Sequence, residues 1–368
     1  MAQESHPTYW DYLRLGDLLA LQNGLEADDA QVAPDELHFI VVHQVYELWF
    51  KLVLRELRLG RDSLAAPRVA EETVPQVVHH LRRVNEILKL GADQFRVMET
   101  LTPQDFLGFR DKLVPSSGFQ SFQMREIEIV LGLDETQRIR VGGMDPLDHI
   151  RKVAAHSPTG ELAWGRLEAA RRETTLRAAL QDWLHRTPIQ ASSPADRDDA
   201  HTVEEFLRQY LAAHARLSRE QTQQLVRSGA GDADVMGRRV ELEVERAQAF
   251  LLAEDVEEGA RQRARRIRAG ILFIESYREL PLLAWPRLLV DTIVKLEELF
   301  VLWRTRHARM VERVIGRRQG TGGSPGVDYL DQTLSYRIFV DLWSVRTLLL
   351  PREALPALRD PGFYGFAA

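Results

Sequence analysis

The chain has no cysteine among its 368 residues. That excludes disulfides, thiolate ligands, iron–sulfur and zinc-finger sites, and covalent attachment of a haem through C-x-x-C-H. A chain without thiols suits a reducing compartment, and a cytoplasmic location is expected. No apolar run approaches the roughly 20 residues that span a bilayer. Residues 1–8 are polar and carry no apolar core of a secretory signal, so no membrane partner is expected. A basic surplus is also missing: 48 Lys and Arg stand against 54 Asp and Glu, a net charge of -6, which argues against binding to nucleic-acid phosphates. Strand pairs joined by Asn-Gly or Asp-Gly turns are absent, and no internal repeat is found.

What is present is a composition of 45% hydrophobic and 28% charged residues, ordinary for a soluble globular protein. The length allows one large core, or one core with a subsidiary lobe. Helical periodicity dominates. Residues 35–60 run without a breaker and are apolar on most sides, through Leu37, Ile40, Val41, Leu48, Leu52 and Leu54, so they read as a buried helix. Thr8 with Asp11 predicts an N-cap opening a helix toward Leu21. Capping boxes are expected at Thr73 with Gln76, opening a helix to about Leu101, and at Thr202 with Glu205. Thr102, Pro103 and Asp105 form a strong helix start. Residues 121–133, 160–185 and 235–280 also read as helical, the last with a break near Asp255, and a long helix is predicted over 286–315. Residues 188–199 read as a polar linker, and Arg261 to Arg268 as a solvated helix face. The fold class is all-α: one domain over 1–368, a large helical bundle with a variable helical lobe at about 185–270.

Two histidines stand apart from the other nine. His43 has Phe39 one turn before it and Glu47 one turn after, while His307 lies between Trp303 and the pair Met310 and Val311. A histidine in such surroundings can ligate haem iron through its neutral imidazole, although the pattern alone fits a hydrogen-bonded core histidine better. The Gly-rich loop after His307 lacks the strand and the Lys of a P-loop. It suits a helix C-cap and connection, or a lid in which Gly320, Thr321, Gly322, Gly323 and Ser324 present donors to a polar ligand. Arg110, one turn after Phe106, reads either as a carboxylate clamp or as a surface partner of Asp111. Tyr9 and Tyr12, flanking Trp10, fit the wall of a site or the apolar face of a first helix.

Six segments, in order, resemble the tryptophan 2,3-dioxygenase family. They are TYWDYL over 8–13, FIVVHQVYELWFK over 39–51, DFLGFR over 105–110, SSGFQS over 116–121, LWRTRHARMVER over 302–313 and GTGGS over 320–324. The resemblance implies an all-helical homotetramer with one haem b per subunit, ferrous in the active form, that uses O2 to cleave the indole C2–C3 bond of L-tryptophan to N-formylkynurenine. It implies His307 as the proximal iron ligand, with Trp303, Ser117 and Gly118 in the cofactor pocket. It implies His43 as the distal catalytic residue facing the indole nitrogen, Phe39 and Phe106 against the indole, Arg110 on the substrate carboxylate and Thr321 on its ammonium and carboxylate end. Tyr9 and Tyr12 match residues delivered from a neighbouring subunit. The chain departs from the family pattern at Pro34, at Pro325 and at Phe122 and Met124. A related haem monooxygenase acting on a substituted tryptophan or another aromatic amino acid is an alternative, and a non-catalytic haem-binding scaffold is another of a different class.

Overall fold

The computed structural model describes residues 6–140, 145–322 and 325–365. Among them the backbone forms fifteen α-helices, short 3-10 turns and a single isolated bridge, Ile189 to Ser192, with no extended strand. The all-α expectation is met.

The first helix is shorter than expected. Thr8 caps it by accepting the Asp11 N–H, but Arg14 adopts a left-handed conformation (φ 52°), so α1 (Tyr9–Leu13) gives way to α2 (Leu15–Leu18) instead of running to Leu21. In α3 (Pro34–Ala65), Pro34 leads and Asp35 and Glu36 occupy the first turn, where acids favour the dipole. By length and composition α3 could cross a bilayer, contrary to the expectation that no such stretch exists; several of its apolar side chains, Leu37, Val41 and Leu48 among them, are exposed instead of buried. The next helix, α4 (Thr73–Met98), begins on Thr73 itself, whose N–H bonds to the Ala70 carbonyl, so Thr73 is not the cap. At α5 (Pro103–Phe109) the predicted start is realised as a reciprocal capping box between Thr102 and Asp105. Ser121 caps α6 (Phe122–Leu131), which ends on Gly132 at φ 104°, a conformation that glycine adopts without strain.

The stretch expected as one helix over 160–185 is interrupted. After α7 (Pro146–Ala154), Ser157 and Pro158 start α8 (Pro158–Ala170), and Thr175 caps a separate α9 (Leu176–His185). Thr202 and Glu205 lie inside α10 (Asp199–Arg227), not at its cap. Thr202 accepts from Arg359, and Glu205 from Arg208 and Gln209, so their side chains serve tertiary and surface bonds. The break near Asp255 falls as predicted between α11 (Ala233–Leu251) and α12 (Glu258–Ser276). Then come α13 (Ala284–Ile315), α14 (Val327–Thr333) and α15 (Val340–Thr347). The loop after α13 opens as a helix C-cap, with Gly316 at φ 62° donating to the Glu312 carbonyl.

The helices fall into two compact units. One comprises Met1–Arg55, Val84–Glu173 and Glu298–Tyr336; the other comprises Glu56–Arg83, Thr174–Glu297 and Arg337–Ala368. In the first, α6 and α7 pack on α8 around Ile127, Leu131 and Leu167. In the second, α12 packs on α9 and α15. A Cβ on Gly270 would lie 2.9 Å from the Leu184 carbonyl oxygen, so glycine sets that close approach. Tyr210 is fully buried there, donating to the Leu348 carbonyl and accepting from Leu350 N–H.

Candidate active site

The first unit encloses a cavity of about 250 Å³. Three helices supply most of its wall at four-residue spacing, which stacks side chains on one helix face. Phe39, His43 and Glu47 come from α3, Trp303 and His307 from α13, and Phe95 from α4. The short capped helix α5 adds Phe106, and Arg110 follows its end. Ser117 and Gly118 come from the segment before α6, and Gly320 and Thr321 from the loop after α13.

His43 stacks beside Phe39, ring centroids 3.9 Å apart, and Phe39 meets Phe106 at 6.1 Å and Phe109 at 5.6 Å. His43 Nδ1 lies 2.8 Å from the Phe39 carbonyl oxygen. A carbonyl only accepts, so Nδ1 carries the proton and Nε2 keeps a lone pair. The ring lies open on the cavity wall, with Phe39 packed against it. Burial lowers its pKa below the usual histidine value, and His38 adds to this against the Phe39 bond. His43 is therefore a neutral acceptor at neutral pH.

His307 sits against a different wall. It stacks on Phe95 at 5.5 Å and 19° and lies 5.2 Å from Trp303. Trp303 is itself held by Phe95, Phe50 and Tyr46 at 5.4, 5.8 and 6.1 Å. Tyr46 donates to the Gly91 carbonyl at 2.8 Å, and a Cβ on Gly91 would come 3.3 Å from Trp303. Glycine on α4 thus lets this aromatic stack close up. Among the described residues the His307 ring has no hydrogen-bond partner. Its pKa is pushed down to about 3, by burial first and then by His43, Arg125 and Arg304. A neutral, unclaimed imidazole facing a cavity has the donor chemistry a haem iron requires.

The polar end of the cavity is closed differently. Arg110 donates to the Gln319 carbonyl at 2.8 Å, not to Asp111, and Thr321 donates to the Ser116 carbonyl. A Cβ on Gly322 would collide with the Ser117 side chain. Gly323 and Ser324 of the loop motif lie outside the described residues. Tyr9 and Tyr12, 71% and 79% exposed, are not brought to the cavity of their own chain.

Several lining residues were not singled out from the sequence. Tyr46 and Phe50 continue the α3 face that starts at Phe39 and could have been found by extending its spacing. Arg125, Glu128 and Arg304 also line the cavity. Helix α6 is buried on all sides, charges included, so periodicity could not mark Arg125 and Glu128. Glu47 accepts from Ser121 at 2.6 Å and from Gln123 at 2.8 Å, tying α3 to the capped start of α6.

Comparison with known proteins gives a consistent picture. A family profile described as "Tryptophan 2,3-dioxygenase" matches residues 1–349. The chain is 47% identical over 365 residues to a protein of Sorangium cellulosum named "Tryptophan 2,3-dioxygenase", covering 97% of this chain and 87% of the relative. It is 46% identical over 371 residues to "Tryptophan 2,3-dioxygenase 2" of Ralstonia nicotianae, covering 98% of each. A "Tryptophan 2,3-dioxygenase" of Alteromonas mediterranea is 34% identical over 387 residues, 99% of each.

Proposed function

We propose that this chain, which belongs to the tryptophan 2,3-dioxygenase family, is a haem-dependent oxidoreductase that opens the indole ring of L-tryptophan between C2 and C3 with O2, giving N-formylkynurenine. The observation that carries the reading is the pair of neutral imidazoles on one cavity. Among the described residues the His307 ring has no hydrogen-bond partner, and His43 Nδ1 takes the Phe39 carbonyl, which leaves Nε2 as the acceptor.

In this reading His307 holds the iron of haem b, and Trp303, Ser117 and Gly118 border the cofactor. The bound haem supplies the binding and activation of O2. The residues of the chain do the rest. Phe39 and Phe106 present apolar faces that hold an indole and exclude water. His43 Nε2 accepts the indole N–H and so fixes the rotation of the ring, the kind of positioning that lowers a barrier by removing wasted orientations. Arg110 exchanges the Gln319 carbonyl for the substrate carboxylate, a charge-assisted bond stronger than the one it gives up. Thr321 turns from the Ser116 carbonyl to the amino-acid end of the substrate.

The same reading makes the enzyme a homotetramer in which Tyr9 and Tyr12 complete a neighbour's pocket. In support, Tyr9, Trp10, Tyr12 and Leu19 are 63–79% exposed, and Leu37, Val41 and Leu48 form an uncovered apolar stripe on α3. Apolar exposure of this kind marks a surface that another chain covers.

Turnover of L-tryptophan under ¹⁸O2 tests the proposal. The expected product carries two labelled oxygen atoms. A product with one would point to a monooxygenase, and binding without turnover would leave only a haem-binding scaffold.

A further inference from the structure

Four charged side chains near His307 have no part in the reading above. Glu128 is fully buried, and both of its oxygens are taken. Arg125 reaches them at 3.0 and 2.8 Å, Arg304 at 2.7 Å and Arg138 at 3.0 Å. The three guanidinium side chains are 9, 7 and 0% exposed. Arg304 is also flanked by the rings of Phe300 and Tyr336, 4.6 and 4.7 Å from its carbon to their centroids. Burial alone would raise the Glu128 pKa, but Arg125, Arg304 and Arg138 bring it down to about 2.

Among the described residues, three positive charges against one negative leave a surplus of two on side chains that are almost wholly buried. Burying charge is costly, and matched pairs are the usual outcome; here the excess is kept. Arg125, Glu128 and Arg304 line the same cavity as His307, and Arg304 lies one turn before it on α13. The other charged groups on the cavity are Arg110, held by the Gln319 carbonyl, and Glu47, held by Ser121 and Gln123. No carboxylate hydrogen-bonds the His307 ring among the described residues, and the one buried in this wall is fully engaged by arginines.

We infer that the Arg125–Glu128–Arg138–Arg304 cluster sets the electrostatics of the proximal side: its surplus positive charge biases an iron held by His307 toward the ferrous state, and it keeps Glu128 from strengthening the imidazole as a donor. The inference rests on the haem reading above. Its physical basis is that the ferrous site carries one positive charge fewer than the ferric site, so nearby fixed positive charge disfavours the ferric form. A unit charge acting through partly buried protein over a few side-chain lengths changes the ferrous-to-ferric ratio at fixed poise by roughly tenfold, about 59 mV for a one-electron couple.

The experiment is a mediated spectroelectrochemical titration of the purified holoenzyme and three variants. Arg304→Gln, which removes a positive charge, lowers the midpoint potential. Glu128→Gln, which removes the negative one, raises it. Arg304→Lys keeps the charge and leaves it near wild type. Shifts of opposite sign are the expected result, since a merely structural role would move both charge variants the same way. Should Glu128→Gln fail to fold, the Arg304→Gln and Arg304→Lys pair decides alone. Equal potentials for that pair, or same-sign shifts for the two charge variants, overturn the inference. The haem absorbance per chain, read first on the wild type, separates this from failure of the haem reading: a chain that takes up no stoichiometric haem refutes both.

Discussion

At His307 the cavity is closed by interlocked rings, whereas at Arg110 and Thr321 it is closed by hydrogen bonds to backbone carbonyls across a loop. The first wall cannot move without breaking ring contacts among Phe95, Trp303, Tyr46 and Phe50. The second can exchange partners, because the Gln319 and Ser116 carbonyls are replaceable by any better acceptor. A wall of the first kind suits a group that stays. One of the second kind suits a ligand that comes and goes, since loops with few packed contacts open at low cost.

Substitutions should separate the two walls. Arg110→Ala removes a charge-assisted bond of about 1.5–3 kcal/mol. The KM for L-tryptophan is expected to rise about 10- to 100-fold with haem content unchanged; an unaltered KM would dissolve the distinction. His43→Ser loses a neutral acceptor, and kcat/KM falls by about tenfold at most, again with haem retained. The pH profile sharpens this. Only neutral His43 accepts an N–H, and its pKa is lowered from 6.5 by burial. Activity should therefore hold steady as pH drops through 6.5 and decline only at more acid pH, while a decline centred at 6.5 would contradict the lowered pKa. The smallest effect belongs to the loop. Gly322→Ala forces a Cβ into Ser117, and a cost near the low end of overpacking, about 1 kcal/mol, gives amide exchange at residues 319–322 that is about fivefold faster. Altered haem content in that variant would mean that the loop and the His307 wall are not independent.

The helical architecture could be read from the sequence wherever caps and spacing agreed, as at Thr102 with Asp105 and across the break near Asp255. It could not be read where a single backbone dihedral decides, as at Arg14, or where a Ser-Pro start and a Thr cap split 160–185 into two helices. Thr202 and Glu205 have the spacing of a capping box but lie inside a helix that starts at Asp199, with their side chains bonded to Arg359 and Arg208. Of the site, His43, His307, Phe39, Phe106, Arg110 and Thr321 were marked from motifs, and one cavity collects them. The aromatic support from Phe95 and Tyr46 and the arginine cluster around Glu128 were not marked. Local pattern identifies a face of a helix, but only tertiary packing shows which faces meet, and a charge inside a fully buried helix looks like any surface charge.

The most direct measurement is haem content of His307→Gly, before and after adding free imidazole. The variant is expected to fail to retain haem and to recover it, with a wild-type-like ferrous spectrum, when imidazole occupies the space left by the side chain. A variant that keeps stoichiometric haem with an unchanged spectrum in the absence of imidazole would contradict the role assigned to His307.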